Sequence, residues 1–135
     1  MTLRRADLEA MLKRGQPLKL NGQDLRGADL SRLELARADL SYARLEGASF
    51  QHAGLAGAIL WAATATGADF TSADLSDANL GTADLTGARL DDAVLRRASL
   101  LGTTLTGASL TGADLTGADT TGATEEGGRP WNRSS

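Results

Sequence analysis

The apolar positions of this chain recur at neither the helical nor the strand period. From Leu20 to Leu115 every fifth residue belongs to one register: 17 of the 20 positions are Leu, two are Phe50 and Phe70, and one is Ala65. A second register runs from Ala28 to Ala123, where 18 of 20 positions carry Ala and the exceptions are Leu33 and Thr103. The positions between are mostly Asp, Ser, Thr, Arg and Gly, so the unit reads Ala-x-Leu-x-x, as in Ala28-Asp29-Leu30, Ala73-Asp74-Leu75 and Ala113-Asp114-Leu115.

On a helix, a step of five residues rotates by about 500°, so the Leu row would wind round the surface and bury nothing. Within one unit Ala and Leu sit two apart and face the same way on extended backbone. The two residues after Leu must then turn the chain, so that the next Ala and Leu again face inward. A chain that turns once per unit and always buries the same two positions closes into a coil, and stacked coils make a solenoid. Four sides per coil is the simplest closure, with a repeat of 20 residues. Phe50 and Phe70 are 20 apart, which predicts that they stack in adjacent coils. Ala65, one side away, gives up volume that a ring can use. Gly27, Gly47, Gly67, Gly87 and Gly107 form a second column at the same spacing. Gly fills 11 of the 21 second-turn positions from Gly22 to Gly122, and the others hold Arg, Tyr, His, Ser, Asp, Ala or Thr. That mixture predicts that positive φ is not required at every corner.

The tandem Ala-Asp/Asn-Leu-x-x units of residues 18–123 resemble the pentapeptide repeat family. The resemblance implies an all-β solenoid: a right-handed, four-sided parallel β-helix of about five coils, with Leu and Phe pointing to the centre and Ala at the corners. The handedness comes from the resemblance; the periodicity alone implies only a closed coil. Leu30, Phe50, Phe70, Leu75 and Leu90 are then structural core.

Three segments follow: 1–17 as an N-terminal helical cap, 18–123 as the repeat body and 124–135 as a tail. Over residues 3–14, Leu8, Met11 and Leu12 share one helical face with Arg4, Arg5, Lys13 and Arg14 outside it. Thr2 is a candidate N-cap, and Gly15 and Pro17 supply the stop. This short capping α-helix covers an end whose strand edges would otherwise invite association. The tail is rich in breakers, with Trp131 as its one large apolar group, and is compatible with a frayed end, a lid over the last coil or a dimer contact.

Composition narrows the chemistry. With 135 residues and 41% apolar content the chain suits one folded domain. It has no Cys, which excludes disulfides, thiolate metal sites and a Cys nucleophile. No apolar run approaches the ~20 residues of a membrane span, and the charged opening Met-Thr-Leu-Arg-Arg-Ala-Asp predicts no secretory leader. A cytoplasmic location without membrane contact is expected. Asp29, Asp39, Asp69, Asp74, Asp84, Asp114 and Asp119 hold one repeat position, which suits bonds to local backbone amides better than acid–base catalysis. His52 is the sole histidine and has no company for a metal site. No phosphate-binding loop or catalytic triad emerges. The expectation is a non-enzyme with no cofactor and no metal.

Outward positions are free of packing duty, so departures there carry information. Tyr42, Ile59, Trp61 and Leu101 fall on one side at a 20-residue repeat, and an apolar cluster with Trp and Tyr makes a candidate interface. Residues 18–123 carry 13 acidic and eight basic side chains, net −5, while residues 1–17 carry four basic and two acidic, net +2. Asp69, Asp74, Asp77, Asp84, Asp91 and Asp92 form a candidate acidic patch, interrupted by Arg89, Arg96 and Arg97. Direct nucleic-acid binding would need the opposite balance. Two roles follow. The first is a protein–protein interaction or scaffold module that binds another protein or itself, as a homodimer, through a side or an end. The alternative, implied by the resemblance, is a DNA mimic that binds DNA gyrase and protects it from topoisomerase poisons. The chain departs from that subgroup in being short, in its interspersed arginines, in having no long interruption of the repeats and in lacking an apolar tail helix.

Overall fold

A computed structural model describes residues 3–15 and 17–133. Between Lys19 and Thr124 the backbone is tied by parallel bridges at every fifth residue, each linked to the one 20 further on. Four ladders result, and they define four faces. The first runs Lys19, Asp39, Ile59, Asn79, Ser99, Asp119; the second Asp24, Arg44, Thr64, Asp84, Thr104, Thr124. The third runs Asp29, Ser49, Asp69, Arg89, Ser109; the fourth Glu34, Gly54, Asp74, Val94, Asp114. All ladder residues except Thr64, Asp119 and Thr124 precede an inward Leu or Phe, which extends the bonding: Asp39 N–H donates back to Leu18 O at 2.8 Å while Leu40 N–H donates forward to Ile59 O at 2.6 Å. Every face is so short between corners that the bridges stay isolated and never lengthen into continuous strands. The β character of the fold lies in ladders across coils. At ~4.8 Å per coil the five-odd coils make a rod about 25 Å long.

The inward column is sealed from Leu20 to Leu105, while Leu110 and Leu115 of the last coil are partly buried. Leu30, Phe50, Phe70, Leu75 and Leu90 are fully buried, as is Ala65. The Phe50 and Phe70 rings stack with centroids 4.8 Å apart and planes within 3°, the arrangement expected of residues one coil apart. Thr103, where the register has Ala, is also buried, and its hydroxyl donates to Leu80 O at 2.7 Å, so the polar atom is satisfied.

The corners overturn one expectation. All 21 second-turn positions from Gly22 to Gly122 have positive φ, including Arg32, Arg37, Tyr42, His52, Ala62, Ser72, Asp77, Thr82, Asp92 and Arg97. Each corner closes an i to i+3 bond, as Ala83 N–H does to Leu80 O at 3.1 Å, and the second-turn N–H also donates to the next coil where one follows, as Thr82 does to Leu101 O at 2.8 Å. Positive φ at the third turn residue alone marks a type II turn. The ladder and the turn bond together hold that conformation whatever the side chain, at a cost of about 1–2 kcal/mol for a residue other than Gly. Thr82, β-branched with φ 54°, is the most strained of the ten. Thr82→Gly is therefore expected to raise stability by about 0.5–1 kcal/mol after the entropy of an added glycine is counted, read as a higher midpoint in urea unfolding.

At the N-terminal end, α1 spans Arg5–Leu12, shorter than the span 3–14. Its N-cap is Arg4, whose N–H is accepted by the Asp7 carboxylate at 2.9 Å; the candidate cap Thr2 lies outside the described residues. Leu8 is fully buried, and Met11 and Leu12 pack partly buried against the same core. Arg5 bonds the first coil through Ser31 O at 2.8 Å and Asp29 O at 3.2 Å. Both carbonyls lie on the coil edge that no earlier coil covers, so one guanidinium satisfies two edge acceptors. At the other end, Thr124 and Pro130 form an antiparallel bridge across a 3-10 turn at Glu126–Gly128. Trp131 N–H donates to Ala123 O at 2.8 Å, and its side chain packs half-buried against the core.

Candidate interaction surface

The first face gathers the four apolar outward residues. Ile59 stands in its ladder, Trp61 follows two residues on, Leu101 occupies the place of Trp61 two coils further, and Tyr42 stands on the adjoining corner. Tyr42 is 64% exposed, Ile59 39% and Leu101 41%. Trp61 is half-buried because its six-membered ring lies over Gly81, directly one coil on; a Cβ at Gly81 would overlap the ring. The indole is thus laid flat along the rod. Glycines elsewhere in the repeat body follow the corner register, and Gly81 and Gly54 are the two that break it. Gly54 likewise lies under the Glu34 carboxylate, one coil back. A glycine out of register, 20 residues after a large side chain, is the sequence signal that would have revealed the seat of Trp61.

The six acidic residues are not brought together. Asp84 lies on the second face, Asp69 on the third with Asp91 and Asp92 at its following corner, and Asp74 on the fourth with Asp77 at its corner. The expected single patch is corrected for a geometric reason: each unit of five advances a quarter turn round the rod, so sequence neighbours point to different sides. Basic partners divide the field further. Arg97 grips Asp77 through Nε at 2.9 Å, Arg96 pairs with Asp114, and Arg89 follows Asp69 in its ladder.

The recurring Asp has a local purpose. In Asp29, Asp39, Asp69, Asp74, Asp84 and Asp114 one carboxylate oxygen accepts both the N–H and the hydroxyl of the Ser or Thr two residues on. At Asp29, Asp39, Asp69 and Asp114 these bonds favour the ionised form. The Thr116 hydroxyl and then Arg96 hold Asp114 at about 2, and the Arg26 guanidinium holds Asp24 at about 2, against an ordinary 3.8. Ser31, Ser41 and Thr121 lower Asp29, Asp39 and Asp119 in the same way, and Arg97 lowers Asp77. At Asp69 burial pulls upward, and bonds from Thr71 and Gln51 outweigh it. A carboxylate whose folded pKa is depressed contributes stability above its unfolded value and loses it as pH falls through the folded one. Melting temperature is therefore expected to fall steeply between about pH 4 and pH 2 as these groups are protonated. Thr116→Val should weaken that acid limb. A flat melting temperature down to pH 2 would contradict the reading.

Among the described residues, no group of three or more His, Asp or Glu is placed to hold a metal ion, and no helix is long and apolar enough to cross a membrane. His52 sits exposed at a corner of the third face.

Comparison with known proteins agrees with this geometry. The family model for pentapeptide repeats matches in eight copies, over residues 19–51, 48–87 and 83–122. Comparison with curated proteins finds no match. Among solved structures, a trypsin-treated variant of QnrB1, a plasmid-mediated fluoroquinolone resistance protein, shares 23% identity over 81% of this chain and 68% of its own, with a TM-score of 0.65. The pentapeptide repeat protein Rfr23 from the cyanobacterium Cyanothece 51142 is 23% identical over 93% of this chain and 99% of its own, with a TM-score of 0.55. The pentapeptide repeat protein alr5209 from Nostoc PCC 7120 reaches 29% over 86% and 94%, also at 0.55. Structures of this kind are right-handed quadrilateral β-helices.

Proposed function

Because the chain belongs to the pentapeptide repeat family, its units filling residues 19–122, we propose that it works as a non-enzymatic protein–protein interaction module docking through its first face. The observation that carries this reading is the gathering of Tyr42, Ile59, Trp61 and Leu101 on one face, with the Trp61 ring seated on Gly81. An aromatic held in place loses little entropy on binding, and clustered aromatic and aliphatic groups are what interfaces use as anchors. The alternative, a DNA mimic acting on gyrase, asks for a continuous acidic surface. The separation of the six Asp over three faces and the pairing of Asp77 with Arg97 favour the apolar face instead.

Salt distinguishes the two. In a pull-down at low and high salt, a docking module retains its target at high salt and loses it with Trp61→Ala, because apolar contacts are not screened. Recovery of gyrase at low salt alone, regardless of Trp61, would reverse the assignment. A Trp61→Ala protein that kept both its partners and its oligomeric mass would also defeat it.

A further inference from the structure

We propose that the partner seated on the first face is a second copy of this chain, running antiparallel, with a twofold axis crossing the rods between the coils of Trp61 and Gly81. The proposal rests on the docking role just assigned to that face and adds its occupant. Three parallel rows of side chains carry it, all with the same dyad.

The outer row reads Ser41, Trp61, Gly81, Leu101, small and large in alternation. Reversed, it sets Leu101 against the small Ser41, and it brings the two Trp61–Gly81 seats, each covered by its own ring, against one another. The ladder row reads Lys19, Asp39, Ile59, Asn79, Ser99, Asp119. Reversed, it sets Lys19 against Asp119 at both ends and Ile59 against Asn79 near the middle, so opposite charges meet and no like pair does. The corner row reads Tyr42, Ala62, Thr82, Gly102, which brings the protruding Tyr42 against Gly102 of the second copy. Trp61 already leans from its own coil over Gly81. That places its ring at the dyad, where the two indoles meet face to face in an offset stack.

An isologous contact needs such self-complementarity. A parallel pairing lacks it: the ladder row would then face the outer row at the same level, setting Ile59 against Trp61 and Lys19 against Asn21 with no opposite charge. The face is about five coils, ~24 Å, long, which places the contact among the smaller interfaces and makes dimerisation dependent on concentration.

The sequence has no Cys, so Ser41→Cys and Leu101→Cys each introduce a sole thiol at an outward position. Mixed at high concentration under mild oxidation, the two variants are expected to form a disulfide-linked heterodimer. Neither should cross-link to itself, since like positions lie three coils apart, ~14 Å, beyond the ~7 Å that a disulfide spans. Sedimentation velocity of the unaltered chain should show a dimer that grows with concentration. Lys19→Glu should weaken association about tenfold by turning two attractive pairs repulsive, and Lys19→Glu with Asp119→Lys should restore it. A chain that stays monomeric at all concentrations, cross-linking within each single variant as strong as in the mixture, or no rescue by the charge swap overturns the proposal. A monomeric chain that still loses a captured protein on Trp61→Ala would refute the second copy and leave the docking role intact. A dimer unaffected by Trp61→Ala and by Lys19→Glu would refute the proposal, and would refute the docking role too if Trp61→Ala also kept every captured protein.

Discussion

Leu75→Asp is expected to abolish cooperative unfolding altogether. Leu75 is fully buried near the middle of the rod, with its N–H bonded to Val94 O at 2.7 Å and its carbonyl closing the next corner to Ala78 N–H at 3.0 Å. A carboxylate placed there would meet only the apolar Leu, Ala and Phe of its own and adjacent coils. Burying it costs several kcal/mol whether it stays charged or takes up a proton, against a total stability of about 5–15 kcal/mol for a domain. Leu75→Ala is the milder comparison, at about 2–5 kcal/mol. Thermal melts followed by circular dichroism separate the cases: a shifted but sigmoidal transition for Ala, and none for Asp. An Asp variant that melts like the parent would mean that residue 75 does not point inward.

The second large effect concerns Phe70 and Ala65. Four inward side chains fill each coil, and Ala65 lies between the two stacked rings in chain order, all three fully buried. Phe70→Ala is expected to cost about 3–5 kcal/mol through the cavity and the lost stack. Ala65→Leu should cost about 1–3 kcal/mol by overfilling a coil that already holds a ring. In the double variant Ala65→Leu with Phe70→Leu the regular register returns, and its cost should fall below the sum of Ala65→Leu and Phe70→Leu measured alone. Strict additivity in urea unfolding would show that the two sites do not share volume.

The core was legible because it depends on one-dimensional spacing. A period of five with Ala and Leu two apart implies a closed coil, and Phe50 and Phe70 pointed to its 20-residue repeat. The apolar face was legible for the same reason, since Tyr42, Ile59, Trp61 and Leu101 differ by multiples of that repeat, give or take the width of a face. The acidic patch misled because neighbours one unit apart in sequence, as Asp69 and Asp74 are, stand on adjoining faces a quarter turn apart. The corners misled differently. Arg32, Tyr42 and Thr82 are poor residues for positive φ by local preference, and the bonds that force them into it come from neighbouring coils. The seat of Trp61 on Gly81 was visible only as an anomaly, one glycine out of register.

The four ladders also make changes of length come in steps. Excising one unit, for instance residues 71–75, would leave every later Ala and Leu pointing inward, yet turn the rest of the rod by a quarter revolution. Leu101 would then stand where Arg96 stands now, on the fourth face, and its alignment with Trp61 would be gone. Excising 20 residues shortens the rod and keeps every later side chain on its face. A surface feature of this protein therefore has an address in two coordinates, coil and side. Insertions or deletions that a lineage accepts without losing a contact should come in twenties, whereas fives preserve the core and scramble the outside.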